Sequence, residues 1–87
     1  MYKFFKVSGV SMLPSFKPEQ ILLTKMTKNI TKGDAVVLKT KDGEKILKRV
    51  LEFRNSKLRI ISDNSYYNSR FNNSWFDIKN LIGKVIF

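Results

Sequence analysis

The sequence predicts an all-β fold, a small curled antiparallel sheet or partly open barrel. Three observations predict it. Apolar residues come in short runs with a two-residue period and not a helical one. Glycine, proline, asparagine and aspartate punctuate the chain between those runs. The length, 87 residues, suits a single domain over residues 1–87 with a thin core.

The elements follow in order. Phe4 to Val7 reads as a first strand. Ser8 to Pro18 holds Gly9, Pro14 and Pro18 and is turn-rich, with room for a short helical turn at most. Gln20 to Met26 is rich in leucine and β-branched residues and reads as a second strand. Lys32-Gly33-Asp34 is a turn, and Ala35 to Thr40 a third strand. Lys41-Asp42-Gly43-Glu44 carries the Asp-Gly signal of a tight hairpin, with Ile46 to Phe53 as the returning strand. Arg54 to Lys57 is another turn, and Leu58 to Ser62 a further strand. Asp63 to Trp75 is polar, rich in asparagine and without a period, so it reads as a long loop. Leu81 to Phe87, interrupted by Gly83, closes the chain as a last strand.

Composition excludes several chemistries. The chain has no Cys and no His. Disulfides, thiol nucleophiles, Cys/His metal centres and a Ser-His-Asp triad are therefore out of reach. The residues call for no metal and no cofactor. A nucleophilic enzyme built from them must take its base from Lys, Asp, Glu or Tyr. Seventeen Lys+Arg against seven Asp+Glu give a net charge of +10. That balance suits an anionic partner such as nucleic acid or a membrane surface, and equally a lysine-rich composition with neither. No apolar run approaches the roughly 20 residues of a membrane-spanning helix. The expected location is therefore cytoplasmic or peripheral at a membrane. Tyr66, Tyr67, Phe71, Trp75 and Phe76 crowd the late loop. They fit a cover for the thin core or, with nearby lysines, a membrane-interface patch.

Two residues stand out as candidates for chemistry. Ser11 follows the turn residue Gly9 and is braced by Met12, Leu13 and Pro14. Glycine permits backbone angles that aim a side chain outward and leave a backbone N–H free, as a nucleophile with its own oxyanion donor requires. A turn serine that caps its own backbone fits the same residues. Lys48 alternates along its strand with Ile46 and Val50, while Lys45 and Arg49 point to the other face. A free lysine titrates near about 10.4, and a general base works best near about 7 to 8. Closing that gap means roughly 4 kcal/mol against the charged form, which burial in apolar surroundings can supply. A lysine with a covered stem and its ammonium in water is the alternative.

Five boxes in order, over about the whole chain, resemble the signal peptidase I family of Ser/Lys-dyad peptidases, within the LexA/signal-peptidase-like superfamily. Val7-Ser8-Gly9-Val10-Ser11-Met12-Leu13-Pro14-Ser15-Phe16 resembles its serine box. Lys32-Gly33-Asp34-Ala35-Val36-Val37 resembles its Gly-Asp strand start, and Lys48-Arg49-Val50 its Lys-Arg-Val box. Ser62-Asp63-Asn64-Ser65 with Asn68-Ser69-Arg70 is similar to its Gly-Asp-Asn and Asp-Ser-Arg box. Leu81-Ile82-Gly83-Lys84-Val85 is similar to its closing strand. The resemblance implies a prokaryotic-type catalytic core in which Ser11 attacks a peptide carbonyl and Lys48 takes its proton. It implies a Ser11 backbone N–H as oxyanion donor, with Gly9 and Met12 shaping that turn, and Asp63, Asn64, Ser69 and Arg70 buttressing the site around Lys48. Peptide or protein substrates, cut after small residues, would be the partners.

Three positions depart from the family pattern. Gly9 stands where many members carry a second oxyanion-donating serine, Asn68 where an aspartate would pair with Arg70, and Ser62 where a glycine is usual. An inactive peptidase-like interaction domain is thus one alternative. A basic β-barrel binding single-stranded nucleic acid is another, on charge and interleaved aromatics. That second alternative leaves the serine and lysine boxes unexplained, so no nucleic-acid partner is expected. An active dyad requires Ser11 Oγ and Lys48 Nζ within about 3 to 3.5 Å.

Overall fold

A computed structural model describes residues 1–87. The strands are β1 (Tyr2–Lys6), β2 (Ile21–Lys25), β3 (Ala35–Lys39), β4 (Lys45–Arg54), β5 (Lys57–Ile61), β6 (Trp75–Asp77) and β7 (Leu81–Val85), with a 3-10 turn at Ile78–Asn80. They form one seven-stranded sheet in the order β1-β2-β7-β3-β4-β5-β6. Every pairing is antiparallel. The sheet curls into a half-barrel with β1 and β6 as its free edges, as the period-two runs predict. No helix is long and apolar enough to cross a membrane.

The alternation along the strands sorts side chains into two clusters, one on each face. Val36, Leu38, Ile46, Val50, Leu58, Ile60 and Leu81 belong to the first, which Phe71, Phe76 and Ile78 cover. Ala35, Val37, Leu47 and Leu22 belong to the second, with Val7, Met12 and Phe16 packed among them. Sequential segments thus cap opposite faces. The loop after β1 seals the second cluster, and the loop after β5 seals the first. Phe71 and Phe76 serve as core cover, whereas Tyr66, Tyr67 and Trp75 remain exposed. Trp75 stands between two guanidiniums, 5.4 Å from Arg54 and 6.0 Å from Arg59.

The turns follow their residues. Between β3 and β4, Thr40 N–H donates to the Glu44 carbonyl at 2.8 Å, and Gly43 takes the left-handed conformation at φ 84°. That is a three-residue hairpin loop with glycine at its left-handed position. Two outcomes differ from the sequence expectation. The first strand runs over residues 2–6, so Val7 leaves the sheet edge and turns into the core, 2 % exposed. The long loop after residue 62 ends earlier than expected, because Trp75–Asp77 pairs with β5 as Arg59↔Trp75, Leu58↔Phe76 and Lys57↔Asp77. A three-residue strand is too short to show a period.

Gly83 lies inside β7, where a Cβ would stand 2.9 Å from both Cβ and Oγ1 of Thr24 and 3.4 Å from the Lys25 carbonyl. Thr24 is itself 2 % exposed, its hydroxyl donating to the Lys3 carbonyl at 3.0 Å, so it has little room to yield. Gly83→Ala is expected to destabilise the fold by about 1 to 3 kcal/mol through overpacking. Urea denaturation checks this; an unchanged midpoint would mean that β2 and β7 separate freely here.

Candidate active site

The serine loop is built from its base outward. Just after β1, Val7 N–H donates to the Gln20 carbonyl and Glu19 N–H to the Val7 carbonyl, each at 2.8 Å, which pins the ends of the loop together. Inside it, Leu13 N–H reaches the Val10 carbonyl at 3.2 Å and Phe16 N–H the Met12 carbonyl at 2.9 Å. Gly9 adopts φ 78°, a conformation costly for a residue with a Cβ. Met12, 1 % exposed, plugs into the second cluster and anchors the turn. Ser11, its neighbour, is left half-buried with a backbone N–H that makes no hydrogen bond within the chain.

The base of the long loop grips this turn from the other side. Asn64 N–H donates to the Ser11 carbonyl at 2.9 Å, and Asn64 Nδ2 to the Val10 carbonyl at 3.0 Å. Asp63 N–H donates to Met12 Sδ at 3.4 Å. The Asp63 carboxylate takes a bidentate pair from Arg49. Burial would raise the Asp63 pKa. Hydrogen bonds from Arg49 and Ser15, with the charge of the guanidinium, outweigh burial and hold it below the usual carboxylate range. Arg49 also donates to the Gly33 carbonyl at 3.1 Å and lies 5.7 Å from the Phe16 ring. One guanidinium therefore ties together the serine loop, the Gly33 turn and the start of the late loop.

Lys48 sits on β4 opposite Val36, and alternates with Ile46 and Val50 of the first cluster. It is 4 % exposed. Its Nζ lies 3.0 Å from Ser11 Oγ and 5.6 Å from the centroid of Tyr67. Burial pushes its pKa down, and the negative charge of Glu44 opposes part of that effect. The lowered pKa brings the neutral amine, the form with a lone pair for a hydroxyl proton, within easier reach. The pair opens into a cleft of about 650 Å³. Val7 and Met12 line one wall, Tyr67, Ser69 and Phe71 the other, and Ile46 lies beside Lys48. The site is thus the lip where the covers of the two sheet faces meet.

The other site residues read from the sequence sit differently from the expectation. Asp63 and Asn64 hold the serine loop and Arg49, and neither bonds Lys48. Ser69 Oγ accepts from Phe71 N–H at 3.1 Å and so shapes its own turn. Arg70 faces solvent, stacked 4.7 Å from the Phe71 ring, with Glu44 at 3.8 Å and Asp42 at 4.0 Å. The absent aspartate at Asn68 is replaced by these two distant carboxylates from the β3–β4 hairpin. The sequence reading missed Glu44 and Tyr67. Glu44 was within reach of it, since period two puts residues 44, 46 and 48 on one face. Tyr67 was not, because it lies in a loop with no period. No three metal-ligating side chains converge anywhere in the chain.

A small antiparallel half-barrel with a serine and a dry lysine in contact at its lip is the architecture of a peptidase-like domain. Residues 1–86 match the family model described as Peptidase S24-like, and the chain belongs to that family, within the superfamily that the five boxes indicate. Among curated proteins none matches the sequence.

The buried amine predicts a pH signature. The unfolded chain keeps the Lys48 proton up to about pH 10.4, whereas the folded chain releases it lower. Between those two pKa values unfolding takes up a proton, so this residue's contribution to stability rises with pH. Below the folded pKa the penalty of holding a dry ammonium is felt in full. Lys48→Met is therefore expected to be more stable than the parent at neutral pH, with the advantage shrinking towards about pH 10. Urea denaturation of both chains across that range tests it; a constant difference would mean that the amine is solvated.

Proposed function

We propose that this chain is a serine endopeptidase in which Ser11 is the nucleophile and Lys48 the general base, acting on leader or signal peptides after small residues. The single observation that carries the reading is the 3.0 Å approach of Lys48 Nζ to Ser11 Oγ, made by a lysine that is 4 % exposed. Histidine is absent, so the lysine beside Ser11, its pKa lowered by burial, is the group placed to accept the serine proton.

The reaction divides into two displacements. In the first, Ser11 Oγ bonds to the scissile carbonyl carbon while its proton passes to Lys48 Nζ, and the carbonyl π pair moves onto oxygen. The free Ser11 N–H is suited to donate to that oxyanion. The C–N bond then breaks, the oxyanion pair re-forms the carbonyl, and the departing nitrogen takes the proton from the Lys48 ammonium. In the second displacement water adds to the Ser11 ester, with Lys48 again taking the proton and returning it to Ser11 Oγ. Val7, Met12 and Ile46 beside Ser11 suit an apolar residue at the cut, and the preference for a small one is what the family resemblance implies.

A serine-directed acylating probe and a fluorogenic leader peptide test the proposal together. The parent is expected to be labelled and to turn over. Ser11→Ala and Lys48→Met are expected to lose turnover by about 10³-fold or more. Lys48→Arg should fail equally, since a guanidinium stays protonated. A folded parent that is neither labelled nor active would leave a peptidase-like interaction domain. Undiminished turnover in Ser11→Ala would overturn the assignment of the nucleophile.

A further inference from the structure

One buried side-chain polar atom in the chain has no hydrogen-bond partner, the hydroxyl of Ser62. The residue is 7 % exposed. Its backbone is fixed, with Ser62 N–H donating to Asn72 Oδ1 at 2.9 Å. A buried hydroxyl left unmatched is destabilising, and an alanine would fill the position without that penalty.

The sheet register says what the hydroxyl stands beside. β4 and β5 pair as Val50↔Ile60 and Arg49↔Ile61. One step further along that register, Ser62 comes alongside Lys48. Alternation gives the same placement. Leu58 and Ile60 share the first cluster with Ile46 and Val50, and Ser62 continues their face. Asp63 falls on the opposite face, where it grips Arg49. The orphan hydroxyl thus falls on the lysine's face, one position beyond the last paired rung.

In the resting site Lys48 Nζ donates to Ser11 Oγ at 3.0 Å, and a neutral amine keeps one lone pair with which to take the Ser11 proton. After the proton moves, the ammonium carries three N–H donors and no lone pair. Lys48 Nζ has one hydrogen-bond partner in the resting site, Ser11 Oγ, and that oxygen is by then bonded to the substrate carbonyl carbon. We propose that the Ser62 hydroxyl is the acceptor that receives the Lys48 ammonium after proton transfer, which makes Ser62 a positioning residue for the dyad. It holds the nitrogen in place until the departing amine takes the proton and the C–N bond breaks. This inference depends on the dyad reading given above. The charged and titratable groups that flank Lys48 are Glu44 in the β3–β4 hairpin, Lys45 at the start of β4, and Tyr67 and Arg70 in the late loop, none of which bonds its Nζ.

Three measurements on the full chain test it. NMR titration of Lys48 through its side-chain carbon and nitrogen resonances needs no turnover. Ser62→Ala should lower the Lys48 pKa, because an acceptor for the charged form is gone, and Ser62→Thr should restore it. In peptide cleavage Ser62→Ala should reduce kcat by about tenfold, the usual worth of a hydrogen bond to a charged group, with KM unchanged and the acid limb moved to lower pH. Urea denaturation should show Ser62→Ala at least as stable as the parent, separating this role from a structural one. Ser62→Cys, close in volume and a weaker acceptor, should give an intermediate pKa and takes alanine's place if that variant does not fold. An unchanged Lys48 titration in the hydroxyl-deleted variant would overturn the inference. Full activity in Ser11→Ala would overturn the dyad instead, leaving the NMR result to decide whether Ser62 meets the lysine.

Discussion

The whole arrangement depends on one amine being held out of water beside one hydroxyl. In water a lysine is a poor base at neutral pH, because its charged form is too well solvated. Here Lys48 has Val36 across the ladder and Ile46 and Val50 along its own strand, with the Tyr67 ring over its end. The aliphatic neighbours disfavour the ammonium, and the Tyr67 ring face and the Glu44 charge offset only part of that effect. The same burial costs stability whenever the amine is charged. The fold therefore tolerates a destabilising group at its centre, as expected where a site's chemistry and the packing around it conflict.

The Arg49–Asp63 pair supplies a frame for the contact between Ser11 and Lys48. Arg49 is the next residue after Lys48, so strand alternation sends the two cations to opposite faces. One is stripped of partners and the other is saturated with them, and their pKa values move in opposite directions for that reason. Arg49, bonded to Asp63, fixes the segment whose Asn64 holds Ser11 by its carbonyl. The lysine and the serine are thus registered through a chain of contacts on the far side of the sheet. Removing one group at the edge of that frame would shift the Ser11 turn without altering the Ser11 or Lys48 side chain.

Much of this was legible in the residues. The strands of the sheet, β6 apart, showed their two-residue period, and Gly43 marked its hairpin loop. The alternation of Ile46, Lys48 and Val50 already puts the lysine on an apolar face. Other features were not legible, for physical reasons. β6 is three residues long and is defined by its partner β5 and not by a pattern of its own. Tyr67 reaches Lys48 from an aperiodic loop whose path is set by hydrogen bonds such as Asn73 N–H to the Ile60 carbonyl. Arg70 was expected near the lysine from the family's Asp-Ser-Arg box. With Asn68 in the aspartate's place it lines the cleft rim with its guanidinium exposed, its nearest carboxylates being Glu44 and Asp42 of the hairpin.

The grip of Asn64 on the serine turn spans 54 residues of chain. Ser11 and Lys48 are themselves 37 residues apart. Such long-range closures form late in folding, after the entropy of the intervening loops has been overcome. A ribosome that had delivered the lysine but not the asparagine would carry a serine turn with nothing to hold its far side. That turn can be fixed only once Asn64, and the β7 strand that joins β2 to β3, have left the exit tunnel.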